Sequence, residues 1–146
     1  MKYYNILVPV NGTEVDQVAI QLACGLAEPH KSKIGAAYII VVRWALPLDA
    51  AIESEIAKAE DVLDYVEGLA DEAGVMINTD IVQAREAGEA IVDEAVERKA
   101  DLIVMGVANK ERFGVFSIGD EVPYVLKHAP CPVLLCQQPV AQQNSL

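Results

Sequence analysis

Basic residues are scarce in this chain: 11 lysines and arginines stand against 22 aspartates and glutamates, for a net charge of −11. A nucleic acid would be repelled by that field unless a local basic patch overcame it. The basic pair standing close together in an exposed loop is Lys110 and Arg112. Long apolar runs are lacking as well. The longest apolar strand candidate, residues 34–42, is far shorter than the roughly 20 residues a membrane helix needs. Residues 1–10 hold no run that would serve as a signal peptide, so a cytoplasmic protein with no membrane role is expected. Cysteines number three (Cys24, Cys131 and Cys136) and form no CxxC pair. Their odd count without framework spacing fits packing thiols in a reducing compartment. His30 and His128, the two histidines, have no ligand spacing, which argues against zinc. The chain has no GxxxxGK[ST] loop and no recognisable Ser-His-acid or Cys-His set, so no catalytic residue is assigned and an enzyme such as an ATPase finds little support. A phosphotransfer receiver would need acids after the first and third strands, where Asn11 and residues 82–84 (Val-Gln-Ala) supply none.

What is present is a core. Of the 146 residues, 53% are hydrophobic, and mean hydropathy is +0.25. That suits one well-buried domain and is too short for two ordinary ones. The apolar residues fall into alternating patterns. Residues 5–10 (NILVPV) read as a strand buried on both faces, ended by Asn11, Gly12 and Thr13. Asn11 or Thr13 is a candidate N-cap for a helix with Val15, Val18, Ala19, Leu22, Ala23 and Leu26 on one stripe, closed by Pro29. A strand over 34–42 and a connection through Pro47 lead to a long helix over 49–73. Its stripe is Ile52, Ile56, Ala59, Leu63, Val66 and Ala70, and Gly74 stops it. That helix region is acidic, with nine carboxylates and one lysine over 49–72, which reads as a solvated face. A more polar, alternating strand over 75–84 suits a sheet edge. A helix over 87–99 turns Ile91, Val92, Ala95 and Val96 inward. Then come a strand over 102–106, a glycine-marked loop, a helix over 120–128 and a strand over 132–137. A polar tail occupies 138–146.

Each strand is thus delivered by a helical crossover. The class is α/β: one doubly wound, open, Rossmann-like parallel sheet with helices on both faces. Ligands in such sheets bind at the carboxyl ends of the strands, at the switch point.

Three stretches carry a specific resemblance: ILVPVNGTE at 6–14, ADLIVMG at 100–106 and YVLKHAPCPVLL at 124–135. In these the chain resembles the universal stress protein family, over residues 1–137. The resemblance implies five parallel strands in the order 3-2-1-4-5, akin to the adenine nucleotide alpha hydrolase-like fold. It also implies a homodimer in which the last strands, here residues 132–137, pair antiparallel. Pro130 and Pro132 lack donors and would limit such pairing at its beginning.

The ATP-binding branch of that family carries G-x2-G-x9-G-[S/T] and an Asp after the first strand. Glycines let backbone N–H groups close around phosphates, and the hydroxyl adds a neutral donor. Carried over, Gly106 fits the first glycine and Gly119 the third, while Asn109 stands at the second and Asp120 at the hydroxyl. Asn11 replaces the Asp, and Pro9 is retained beside it. Ile39 falls where the family uses a main-chain group against adenine, and Tyr38 stands where a His is common.

Asp120 is a good N-cap for the last helix, and as a carboxylate it fills the anion site with the protein's own charge. A phosphate about 4–5 Å away would meet a repulsion on the order of 3–4 kcal/mol before screening, at an effective dielectric near 20. Asn109 tolerates positive φ but crowds a phosphate; Asn11 can still bond a ribose hydroxyl. Lys110 and Arg112 read either as phosphate partners or as exposed loop residues. Phe113 and Phe116 flank Gly114, and read either as packing or as a partner surface. Pro123 falls in the first turn of the last helix, where its missing N–H costs little. Two functions follow. The first is a dimeric stress-response or signalling protein that binds little or no ATP. The alternative is a sensor binding AMP, ADP or ATP through Pro9, Asn11, Ile39, Gly106, Asn109, Gly119 and Asp120.

Overall fold

Residues 5–10 alternate in which side of a sheet they face, and the structure sorts them accordingly. In this computed structural model, which describes residues 3–107, 110–112, 115–117 and 121–138, β1 (Asn5–Val10) turns Ile6, Val8 and Val10 into one core cluster and Leu7 into another. The period-2 geometry of a strand makes that division. β2 (Lys33–Val41) follows the same rule, with Ile34, Ala36, Tyr38 and Ile40 on the first face and Ala37 on the second. β4 (Leu102–Gly106) sends Leu102 and Val104 one way and Ile103 and Met105 the other.

Helices cover both faces. α1 (Val15–Ala27) and α2 (Glu53–Glu72) supply the first cluster through Ala19, Ile20, Ala23, Ala59, Leu63 and Val66. α3 (Ala87–Glu97) and α4 (Glu121–His128) supply the second through Ile91, Ala95, Val122 and Val125. The five-stranded parallel sheet runs β3 (Ile77–Ala84), β2, β1, β4, β7 (Val133–Cys136). Counted within the sheet, that is the expected order 3-2-1-4-5. Cys136 joins the first cluster and Cys131 the second, on opposite faces as their spacing implies.

Several boundaries differ from the sequence reading. α2 begins at Glu53, because residues 47–50 form a turn (Ala50 N–H to the Pro47 carbonyl, 3.0 Å) whose carbonyls at Leu48 and Ala50 are held by the Gln83 amide. β3 begins at Ile77: the Val75 N–H donates to the Ala70 carbonyl (3.0 Å) and Gly74 takes φ +69°, closing the helix in a Schellman turn. Leu22 and Val96 are exposed, being displaced from the inward rows of Ala19 and Ala23 and of Ile91 and Ala95. The stretch after β4, read as a loop, contains a two-stranded antiparallel arm, β5 (Lys110–Arg112) and β6 (Val115–Ser117). Among the described residues no helix is long and apolar enough to cross a membrane.

Candidate functional site

The switch point lies where β2 and β4 flank β1. Pairing between β1 and β4 stops at Leu7↔Ile103, whereas β1 stays paired with β2 through Val10↔Tyr38. Beyond Leu7 the first and fourth strands have parted, and Pro9, which has no N–H to give to a ladder, sits on that stretch. The crevice of an open α/β sheet opens here.

Asn11 and Gly12 form its lip. Gly12 adopts φ +86°, which glycine reaches without strain. The Asn11 Oδ1 accepts from the Thr13 N–H (3.1 Å) and the Thr13 hydroxyl (2.7 Å). That Asx turn replaces the expected cap: the N-cap of α1 is Glu14, with no side-chain capping bond. Since an N–H can only donate, the atom facing it is the amide oxygen, and the donor left to the Asn11 side chain is its Nδ2.

The residue that organises the lip is Asp16, which the motif does not contain. It lies in the first turn of α1 and is only 3% exposed. Its carboxylate accepts from the Gly12 N–H (2.7 Å) and from the Asn11 N–H (3.2 Å to each oxygen). Burial raises its pKa from 3.8 to about 6, against the opposing pull of those two backbone donors. In the sequence it is indistinguishable from any acid opening a helix, so only the burial reveals it.

Gly106 closes the other side. A Cβ on it would lie 2.8 Å from the Val15 Cγ1 and 3.2 Å from the Val15 carbonyl oxygen. Its glycine character therefore has a packing cause that needs no phosphate. Ile39 is half-buried on β2, and Tyr38 is buried in the core between the sheet and α1 and α2. Tyr38 is a packing residue. Pro9, Asn11 and Gly106 thus gather at the carboxyl edge with Ile39 on the adjoining strand. Asn109, Gly119 and Asp120 lie outside the described residues, as do Phe113 and Gly114. Lys110, Arg112 and Phe116 are placed by backbone only, on the arm.

Among the described residues no group of three His, Cys, Asp or Glu side chains is poised for a metal. Burial pushes the Cys24, Cys131 and Cys136 thiols up, with Asp101 adding to the shift at Cys131. The thiolate needed for nucleophilic or redox chemistry is correspondingly disfavoured.

The sequence pattern of the universal stress protein family matches residues 2–137. The chain belongs to the universal stress protein family. A universal stress protein of Methanocaldococcus jannaschii is 34% identical over 143 residues, covering 94% of this chain and 84% of that one. Among solved structures, UspA of Lactobacillus plantarum is 26% identical, with a TM-score of 0.75 over 92% of this chain and 98% of that one. Three more distant family structures hold nucleotides. An Archaeoglobus fulgidus protein in complex with dAMP is 20% identical, with a TM-score of 0.72 over 92% and 98% of the two chains. A universal stress protein in complex with cAMP is 21% identical, also at 0.72, over 95% and 100%. An Arabidopsis thaliana protein with AMP bound is 19% identical, at 0.71 over 97% and 96%. At those identities the likeness is one of fold.

Proposed function

We propose that this universal stress protein is a non-enzymatic, cytoplasmic stress-response and signalling protein whose nucleotide cleft binds ATP weakly or not at all. The observation that carries this reading is the Asp16 carboxylate, bonded to both turn amides at the lip of the crevice. The sequence adds a second acid, Asp120, where the ATP-binding pattern has Ser or Thr. A triphosphate bound in that pattern would meet a carboxylate where the pattern has a neutral hydroxyl, and so charge of its own sign. Three cysteines without framework spacing support the reducing compartment.

A second reading has specific support. Three nucleotide complexes among its structural neighbours hold AMP, dAMP and cAMP, each with one phosphate. A monophosphate brings less charge toward Asp120 than ATP does, so AMP is the adenine nucleotide best suited to this cleft.

Isothermal titration with ATP and then AMP, on the native chain and on Asp120→Ser, tests both. The expected result is no measurable ATP binding by the native chain and its appearance in the variant. Micromolar ATP binding by the native chain would overturn the attenuated cleft and make the protein an ATP sensor. AMP binding without ATP binding would establish the second reading.

We also propose a homodimer through residues 132–137. β7 pairs only with β4 among the described residues, and Leu134 and Leu135 are 38% and 40% exposed along it. An apolar, unpaired edge is a template for a second copy. Sedimentation should give a dimer that Leu135→Glu dissociates; a monomeric native chain would exclude it.

A further inference from the structure

We propose that the groove between β3 and α3 docks an extended, basic segment of a partner protein, which joins the sheet as a sixth strand. β3 is the opposite edge of the sheet from β7. Among the described residues it pairs only with β2, so the outer side of an eight-residue strand is open. Exposed edges are commonly blunted with proline or charged residues, lysine above all; INTDIVQA has neither proline nor lysine, and its one charge, Asp80, is paired with Arg98 (3.7 Å). Alongside runs a groove of about 370 Å³ that includes Val82 and Leu48. Glu89, Asp93 and Glu97 of α3 line it at four-residue intervals, which puts all three carboxylates on one helical stripe.

The apolar part of this surface is held in place. The Arg85 guanidinium donates to the carbonyls of Arg43 (2.7 Å), Leu46 (2.9 Å) and Val42 (3.4 Å) and lies 4.7 Å from the Trp44 ring. The Gln83 amide donates to the Leu48 and Ala50 carbonyls, both at 2.9 Å. The connection between β2 and α2 is therefore tied to β3 while presenting Trp44 at 78% and Leu48 at 47% exposure. Exposed apolar side chains on a pre-ordered backbone bind with little further ordering cost, and tryptophan is enriched among residues that dominate interfaces.

Charge selects the occupant. A second copy of this chain carries a net charge of −11 and would be repelled by the α3 carboxylates. A strand with alternating lysine or arginine gains main-chain bonds from β3 and opposite charge from α3, and the methylene stems of those basic residues cover Val82 on the same face. This surface is separate from the crevice at β1 and β4, so the proposal stands whether or not a nucleotide binds.

Trp44 is the only tryptophan in the chain, so its emission reports on this surface directly. The probe is a nine-residue peptide alternating lysine and valine. Two controls are the same peptide with alternate amides N-methylated, which keeps the charge and blocks strand pairing, and a glutamate–valine peptide. The lysine–valine peptide should shift Trp44 emission saturably. N-methylation should weaken binding at least tenfold, as should the surface variant Asp93→Lys/Glu97→Lys with an unchanged melting temperature. The glutamate–valine peptide should not bind. No emission response, equal affinity for the methylated peptide, or unchanged affinity in the charge-reversed variant would each overturn the proposal.

Discussion

Gly106 ends β4 directly beneath Val15, so close that a methyl group on the glycine would sit 2.8 Å from one Val15 methyl and 3.1 Å from the other. The first turn of α1 is thereby seated against the end of β4.

Gly106→Ala should destabilise the fold by about 1–3 kcal/mol, the usual cost of overpacking a filled site. Val15→Ala in the same chain should return part of that loss, because the clashing methyls are then gone. The two changes are in contact and should be non-additive. Urea unfolding of both single variants and the double variant measures the coupling. Strict additivity would mean that the glycine answers to something other than Val15.

That glycine also shows how far the sequence can be read. Periodicity alone located the strands of the main sheet and the two faces, since Ile6, Val8 and Val10 against Leu7 is a pattern of period two. The family resemblance marked Gly106 too, but with a phosphate-binding rationale. The Val15 contact joins residues 91 positions apart and has no local signature. Asp16 escaped for the same reason: an acid in the first turn of a helix ordinarily faces water, and its burial depends on the turn at Asn11 and Gly12 folding back over it. The arm of β5 and β6 was hidden by strands of three residues each, too short to establish an alternation.

Asp16 should titrate far from the exposed carboxylates. Its folded-state pKa is raised from 3.8 to about 6, so between those values the native state holds a proton that the unfolded state has released. The stabilisation from that proton is fully present below about pH 3.8 and is lost as pH rises to about 6. The difference is on the order of 3 kcal/mol. Carbon-detected NMR titration of the side-chain carboxyls should give Asp16 a midpoint near 6, and Asp16→Asn should remove this component of the pH dependence. A midpoint in the ordinary carboxylate range would contradict its placement beneath the turn.

Gly35 offers a contrast with Gly106. A Cβ there would overlap an Arg98 guanidinium nitrogen, more severely than the Gly106 Cβ overlaps Val15. Arg98 is a flexible side chain, 24% exposed and engaged with Glu94 (2.9 Å) and Asp80 (3.7 Å). It can swing toward solvent, giving up ion pairs of modest worth. Gly35→Ala should therefore cost less than Gly106→Ala, below about 1 kcal/mol. Denaturation midpoints of the two variants, compared side by side, check the order. The reverse order would mean that Arg98 is fixed across the sheet.

Gly88 should behave like Gly106 rather than like Gly35. It is buried in the first turn of α3, where a Cβ would stand 3.0 Å from the Tyr124 Cβ and 3.1 Å from its ring. A Cβ is fixed to the backbone of α4, so relief requires α4 itself to shift. Gly88→Ala should lower stability by about 1–3 kcal/mol and move the amide resonances of Glu121 and Val122 more than those of α1. Tyr124→Ala would remove the ring contacts at 3.1 and 3.2 Å but keep the 3.0 Å contact to the Cβ, so its relief should be partial, whereas Tyr124→Gly would remove all three. A Gly88→Ala chain as stable as the native one, with α4 resonances unmoved, would show that the two helices are not in the contact described.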